Sequence, residues 1–215
     1  MKIYDVSMTI SEDMQVYKNL EEKKPNIRVV ADFSNASYHE TEIQMNLHTG
    51  THMDFPLHMI KDGKTSDTLD LSKLIRKVKV IDMTKVIDCI KDTDLLDLDI
   101  KPNDFLLFKT INSYDEKFMP NFIYIAESAS NYLASKQIAG VGVDGLGVER
   151  NQKEHPTHKN LMSRDMIIIE GLRLKEVNQG MYFMYALPIK IRNSDALPLS
   201  IILIEEPYEN NQSNT

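Results

Sequence analysis

His48-Thr49-Gly50-Thr51-His52-Met53-Asp54-Phe55-Pro56-Leu57-His58 places three imidazoles and one carboxylate within eleven residues. Neutral imidazole and carboxylate are the usual ligands of Zn²⁺ and of harder divalent ions such as Mn²⁺. Backbone geometry limits how these groups can meet. A straight helix would set His48 and His52 on one face but rotate Asp54 away, and Gly50 and Pro56 both oppose a helix. A straight strand would put all four on one face, since every offset is even. His48 and His52 would then stand roughly 13 Å apart, at about 3.3 Å per residue, whereas metal–ligand bonds span only about 2 Å. The segment must therefore bend. Gly50 is the natural bending point because it tolerates φ values that other residues avoid, and Pro56 fixes the exit direction before His58. We read the stretch as a strand end turning into a compact loop whose polar side chains converge on a metal or catalytic site.

The residues leading into it alternate. Ile43, Met45 and Leu47 are apolar while Glu42, Gln44 and Asn46 are polar, a period of two that predicts a half-buried strand running into His48. Further strands are expected at Lys77 to Met83, Phe105 to Thr110, Ile138 to Val143, Met166 to Glu170, Met181 to Ile191 and Leu197 to Ile204, all short and rich in β-formers. Ile125 to Lys136 carries Ala and Leu at helical spacing, with Gly140 soon after as a stop signal. A second, weaker helix is expected at Asp67 to Ile75. Many strands, some separated by helices, predict a mixed α/β domain. A second polar segment follows. His155-Pro156-Thr157-His158 precedes the apolar strand that ends in Glu170-Gly171. A glutamate closing a strand of Met and Ile calls for a charged partner, while His155 reads as a surface loop residue.

Composition bounds the function. With 215 residues, 42% of them hydrophobic, the chain suits a single domain, expected over residues 1–208 with a disordered polar tail at 209–215. The net charge of −7, from 32 acidic and 25 basic residues, argues against a nucleic-acid partner, which would need a basic stripe. The single cysteine, Cys89, precludes an intrachain disulfide and suits a reducing compartment. The start, MKIYDVSMTI, has no signal-peptide core, and runs such as Ile201 to Ile204 are too short to span a bilayer. The expected setting is cytoplasmic, with no membrane partner. Covalent catalysis is disfavoured. Cys89 has no histidine near it in sequence and reads as a small apolar packing residue, and no G-x-S-x-G elbow is present.

The eleven-residue stretch resembles the H-x-G-T-H-x-D-x-P-x-H motif of the cyclase-like metal hydrolases, a family that includes bacterial kynurenine formamidase and isatin hydrolase. The resemblance extends over most of the chain, through Asp5-Val6-Ser7, Val143-Asp144-Gly145-Leu146, the segments holding His158 and Glu170, and Ala186-Leu187-Pro188-Ile189-Lys190. Val16-Tyr17-Lys18-Asn19 stands where family members often carry Tyr-Pro-Gly-Asp, and the chain has no tryptophan. The resemblance implies a compact, barrel-like mixed-sheet α/β domain in homodimers or tetramers. It implies one or two divalent ions per subunit, Zn²⁺ or Mn²⁺, held by His48, His52 and Asp54, with His158 and Glu170 serving a second ion and Asp54 able to bridge. His58 would be the acid/base residue. The implied reaction is hydrolysis of a small-molecule amide, an arylformamide such as N-formylkynurenine or a cyclic amide, by metal-activated water. Two other readings are hydrolysis of a lactone or other ring and a metal- or small-molecule-binding protein without turnover. A pure storage site needs no extra base, so His58 weighs against the last.

Overall fold

In the computed structural model, which describes residues 1–205, the chain forms β1 (Ile3–Asp5), β2 (Asn26–Ala31), β3 (Glu40–Gln44), β4 (His52–Asp54), β5 (Ile75–Asp82), β6 (Cys89–Ile90), β7 (Phe105–Lys109), β8 (Tyr124–Ile125), α1 (Glu127–Ser135), β9 (Gly140–Val143), α2 (Pro156–Met162), β10 (Ile167–Glu170), β11 (Gly180–Pro188) and β12 (Ala196–Glu205). The expected tail at 209–215 lies outside the described residues. Seven strands close on themselves in the order β12-β11-β5-β7-β9-β10-β4 and back to β12, and β1 pairs with β12 at Ile202 to Ile204, beyond the stretch that β4 takes. β5, β7, β9 and β10 run parallel, while the remaining pairings in this sheet are antiparallel. The barrel-like mixed sheet expected from the resemblance is the fold observed.

The strand sequences explain the two layers of core. All five residues of β7 are buried, as a central parallel strand covered on both faces requires. Phe105 and Leu107 join Val78, Val80, Ile167, Ile169, Met184 and Leu203 in the barrel interior. Leu106 and Phe108 face the other way and pack with Val141, Val143 and Ile168 under Leu133 of α1 and Leu161 of α2. The period of two thus divides each strand between an inner and an outer core. Among the described residues, no helix is long and apolar enough to cross a membrane.

Three expectations are corrected. The strand expected at Glu42 to Leu47 is instead Glu40–Gln44, wholly exposed and paired only with β2 in a separate two-stranded ribbon. Its alternation therefore faces solvent on both sides, and a turn separates it from His48. The helix expected at Asp67 to Ile75 is two short 3₁₀ turns, Ser66–Thr68 and Leu71–Lys73, after which Ile75 begins β5. Asp70 Oδ1 accepts from the Ser72 amide at 3.0 Å, a side-chain competitor of the kind that breaks helices. The bend itself contains an unforeseen strand, β4, and the segment after His155 is the helix α2.

The loop after β9 is tied down by a buried carboxylate. Asp144 accepts from the Thr110 amide at 2.6 Å, Thr110 Oγ1 at 2.7 Å, Ser113 Oγ at 2.8 Å and the Ser113 amide at 3.2 Å. Every partner is a donor, so an amide nitrogen in place of one oxygen would face donors and leave some of them unsatisfied. Asp144→Asn is expected to lower stability by at least about 2 kcal/mol, read from the urea midpoint of the purified protein.

Candidate metal centre

The bend is built at Gly50, whose φ is +75°. Gly171 lies directly against it, since a Cβ there would come within 2.5 Å of the Gly50 oxygen. The threonines on either side anchor the turn. Thr49 Oγ1 donates to the Lys23 carbonyl at 2.8 Å, Thr51 Oγ1 to the Gly171 carbonyl at 2.7 Å, and the Met8 amide donates to Thr51 Oγ1 at 2.8 Å. The chain then enters β4, which pairs antiparallel with β10 so that His52 stands opposite Glu170 and Asp54 opposite Ile168. Met53 points into the barrel, so His52 and Asp54 face outward. There α2, packed on β10, supplies His158. Pro56 starts a 3₁₀ turn ending at His58, and the His58 ring lies 3.9 Å from that of His48, tilted by 32°.

All six residues named from the sequence meet here. Asp54 Oδ1 is 3.0 Å from His48 Nδ1 and 3.4 Å from His52 Nε2, and Oδ2 is 3.5 Å from His158 Nε2. Glu170 spans the same two rings, with Oε2 3.4 Å from His52 Nε2 and Oε1 3.4 Å from His158 Nε2. Its Oε1 also accepts from the Val148 amide at 2.6 Å. His48, Asp54 and His58 form one group able to hold an ion, and His52, Asp54 and Glu170 another, with Asp54 common to both. His155 sits at the rim with its side chain 56% exposed, as a loop residue would.

Two residues of the site carry no signal in the sequence. Glu149 is buried, bonded to His158 Nδ1 and to Gln152 Nε2. Asp195 Oδ2 lies 3.0 Å from His48 Nε2 and 3.7 Å from His58 Nδ1. Glu149 stands in a loop with an ordinary charge pattern, and Asp195 is far from the motif in sequence, so neither spacing nor periodicity marks them.

The donor set fits a divalent cation. His52 Nε2, Asp54 Oδ1 and Asp54 Oδ2 are buried without a hydrogen-bond partner, a costly arrangement unless a cation satisfies them. Imidazole nitrogens and carboxylate oxygens are the ligands that borderline and hard divalent ions take. In the protein without an ion, protons do part of that work. Burial alone would lower His52, but the carboxylates of Asp54 and Glu170 outweigh it and raise its pKa to about 10. His158 moves in the same direction, pulled up against burial by Asp54, Glu149 and Glu170. Burial pushes Glu170 up, and the repulsion of Asp54 adds to it, but the imidazoles of His158 and His52 draw it down to about 2. At His58 burial, with the repulsion of His48 and His158, outweighs the pull of Asp54 and Glu170 and holds its pKa below its ordinary value. Burial also raises the Cys89 thiol, which leaves it a poor nucleophile.

These shifts fix the sign of two pH effects. A ligand ring must lose its proton to bind an ion, so affinity for Zn²⁺ should fall as pH is lowered. Calorimetric titration at pH 7.5 in buffers of different ionisation enthalpy should find at least one proton released per ion. In the metal-free protein, His52 contributes stability that is fully present below about pH 6.5, its unfolded value, and lost as pH rises through its folded value of about 10. Urea midpoints of metal-free protein between pH 6 and 10.5 should fall accordingly.

The putative cyclase family's sequence profile matches residues 4–150 of this chain. A solved structure described as a potential metal-dependent hydrolase with cyclase activity is 49% identical, with a TM-score of 0.90, covering 96% of this chain and 99% of its own. The kynurenine formamidase of Erythrobacter litoralis is 33% identical over 166 residues, 76% of each chain. Isatin hydrolase A from Ralstonia solanacearum shares the fold, with a TM-score of 0.81 at 19% identity, over 95% of this chain and 92% of its own. A bend holding His48, His52 and Asp54, a profile match across more than half of the chain and a formamidase relative at 33% identity lead to one assignment: the chain belongs to the putative cyclase family.

Proposed function

We propose that this protein is a metal-dependent hydrolase that cleaves the C–N bond of a small aryl amide, an arylformamide or a cyclic amide. The observation that carries this reading is the convergence of three imidazoles and two carboxylates, three of their atoms buried without partners; of these residues His48, His158 and Glu170 line a cavity together with His58. The 33% identity to a kynurenine formamidase supports the arylformamide substrate. The cavity holds about 180 Å³, with Tyr17, Met59 and Leu146 among its walls. An apolar cavity of about 150 Å³ accepts a benzene ring, so one aryl group fits.

His48, His52 and Asp54 would hold a divalent ion, Zn²⁺ or Mn²⁺, with His158 and Glu170 completing the site or holding a second ion. The ion would supply Lewis acidity that makes a water nucleophilic near neutral pH and polarises the amide carbonyl. The chain's own task is proton movement. His58 makes no side-chain hydrogen bond among the described residues, and burial keeps it neutral at pH 7, so it can take a proton as general base. The same ring then returns that proton to the leaving amine nitrogen. Glu170, fixed by the Val148 amide, and Glu149, fixed by Gln152, keep His158 in place during both steps.

A panel of N-formylkynurenine, isatin and simple lactones, assayed with added Mn²⁺ or Zn²⁺, tests the reaction. N-formylkynurenine is expected to turn over fastest. Preferred lactone turnover would move the assignment to ring-ester hydrolysis, and metal binding without any turnover would favour a binding protein. His58→Ala should keep its metal content and lose about 10²–10⁴-fold in kcat. Retained turnover would remove His58 from the acid/base role.

We also propose a homo-oligomer. The β2–β3 ribbon exposes Val29, Phe33, Tyr38 and Ile43 at 50% or more of their surface, and a lone two-stranded ribbon is marginal in water. A second copy covering this ribbon would bury those side chains. Light scattering should give a dimer or tetramer mass for the wild type and a smaller species for the double variant Phe33→Asp, Ile43→Glu.

A further inference from the structure

An imidazole offers one lone pair to an ion, and which nitrogen offers it is set by what the other nitrogen bonds. Three rings of this site face Asp54, and each has its far nitrogen held by an acceptor. His52 Nδ1 donates to the Gly50 carbonyl at 2.9 Å. His158 Nδ1 is bonded to Glu149, which also accepts from Gln152 Nε2 at 2.9 Å and is buried. His48 Nε2 lies 3.0 Å from Asp195 Oδ2.

The third acceptor differs from the other two. Gly50 belongs to the turn itself and Glu149 is buried, but the Asp195 side chain is 42% exposed. Within the described residues the side chains that pair with its carboxylate are those of two histidines, His48 at 3.0 Å and His58 at 3.7 Å. The backbone contribution of this residue is separate, since its main-chain carbonyl accepts from the Phe55 amide at 2.9 Å. Beyond its own backbone amide, the carboxylate thus has no bond within the described residues that competes with its contact to the site.

We propose that Asp195 is the positioning residue that fixes His48 with its proton on Nε2, turning the Nδ1 lone pair toward Asp54 and the ion. The inference rests on the metal-centre reading above. Without an acceptor at Nε2, the ring is free to carry its proton on Nδ1 and donate to Asp54 Oδ1, 3.0 Å away. In that form His48 offers no nitrogen to the ion and occupies an oxygen that the ion needs. Neutral asparagine retains an accepting oxygen at the same place, whereas alanine does not, so the two substitutions separate a hydrogen-bond role from a charge role.

The probe is Zn²⁺, its affinity measured by competition with a chromophoric chelator for the wild-type, Asp195→Asn and Asp195→Ala proteins. Asp195→Ala should bind about 10–100-fold more weakly, and Asp195→Asn should stay within a few-fold of wild type. Long-range ¹H–¹⁵N spectra of the Zn²⁺-loaded wild type should show a protonated Nε2 and a metal-bound Nδ1 at His48, and the pattern should be lost or mixed in Asp195→Ala. Wild-type affinity in Asp195→Ala overturns the role of Asp195 alone. Equal weakening by Asn and Ala shows that charge acts instead of the accepting oxygen, and overturns the tautomer role. A wild type that binds no Zn²⁺ overturns the metal centre and this inference together.

Discussion

His52 stands across from Glu170 because β4 and β10 pair antiparallel in one particular register. Side chains along a strand alternate between faces, so a slip of one residue would turn His52 and Asp54 into the barrel and Met53 out of it. The apolar neighbours oppose such a slip. Met53 and Ile169 are packed in the barrel interior, and Ile168 packs in the outer core. The hydrophobic pattern of two short strands therefore positions two polar groups that have no favourable packing of their own. Asp54 then brings in His48 and His158 from segments on either side.

Gathering these groups is electrostatically costly. Two carboxylates, each under 6% exposed, lie close together, and burial alone would drive both toward their neutral forms. Imidazoles carrying protons stabilise the pair in the metal-free protein, and a divalent ion would do the same with greater charge and no donor hydrogens. The rest of the fold tolerates the arrangement because its apolar layers are otherwise continuous. Every strand of the closed barrel except β9, whose Gly140 and Gly142 lie against Phe105 and Leu107 instead, contributes a side chain to the interior cluster, so the polar site interrupts only the outer layer.

The legible part of the sequence was the part in which covalent spacing forces geometry. His48 and His52 cannot share an ion along a straight strand, and the structure bends between them, with Gly50 at φ +75°. The apolar runs at Phe105 to Thr110 and Met166 to Glu170 were legible for a similar reason, since a strand buried on both faces has few other readings. The ribbon misled because alternation records a two-faced environment without saying whether one face meets a core, and Ile43 is 50% exposed. A helix was expected at Asp67 to Ile75, but the Asp70 side chain within it accepts from the Ser72 amide instead. Asp195 was illegible because its partner is 147 residues away, and only the closure of β12 onto β4 brings them together.

That closure also explains why the site lies outside the barrel. Seven strands leave an interior that side chains fill, here Phe105, Leu107, Met184 and their neighbours. A polar centre with a substrate cavity has no room there and forms where the parallel strands end. Glu170 is the last residue of β10, and the loop after β9 runs beside it. Asp144 holds the start of that loop through Thr110 and Ser113. Four residues on, Val148 donates its amide to Glu170, and the next residue, Glu149, bonds His158. One buried carboxylate with a purely structural role thus steadies the loop that orients a second carboxylate and a histidine at the site. Residues that hold the fold and residues that hold the chemistry are, along this loop, the same few hydrogen bonds apart.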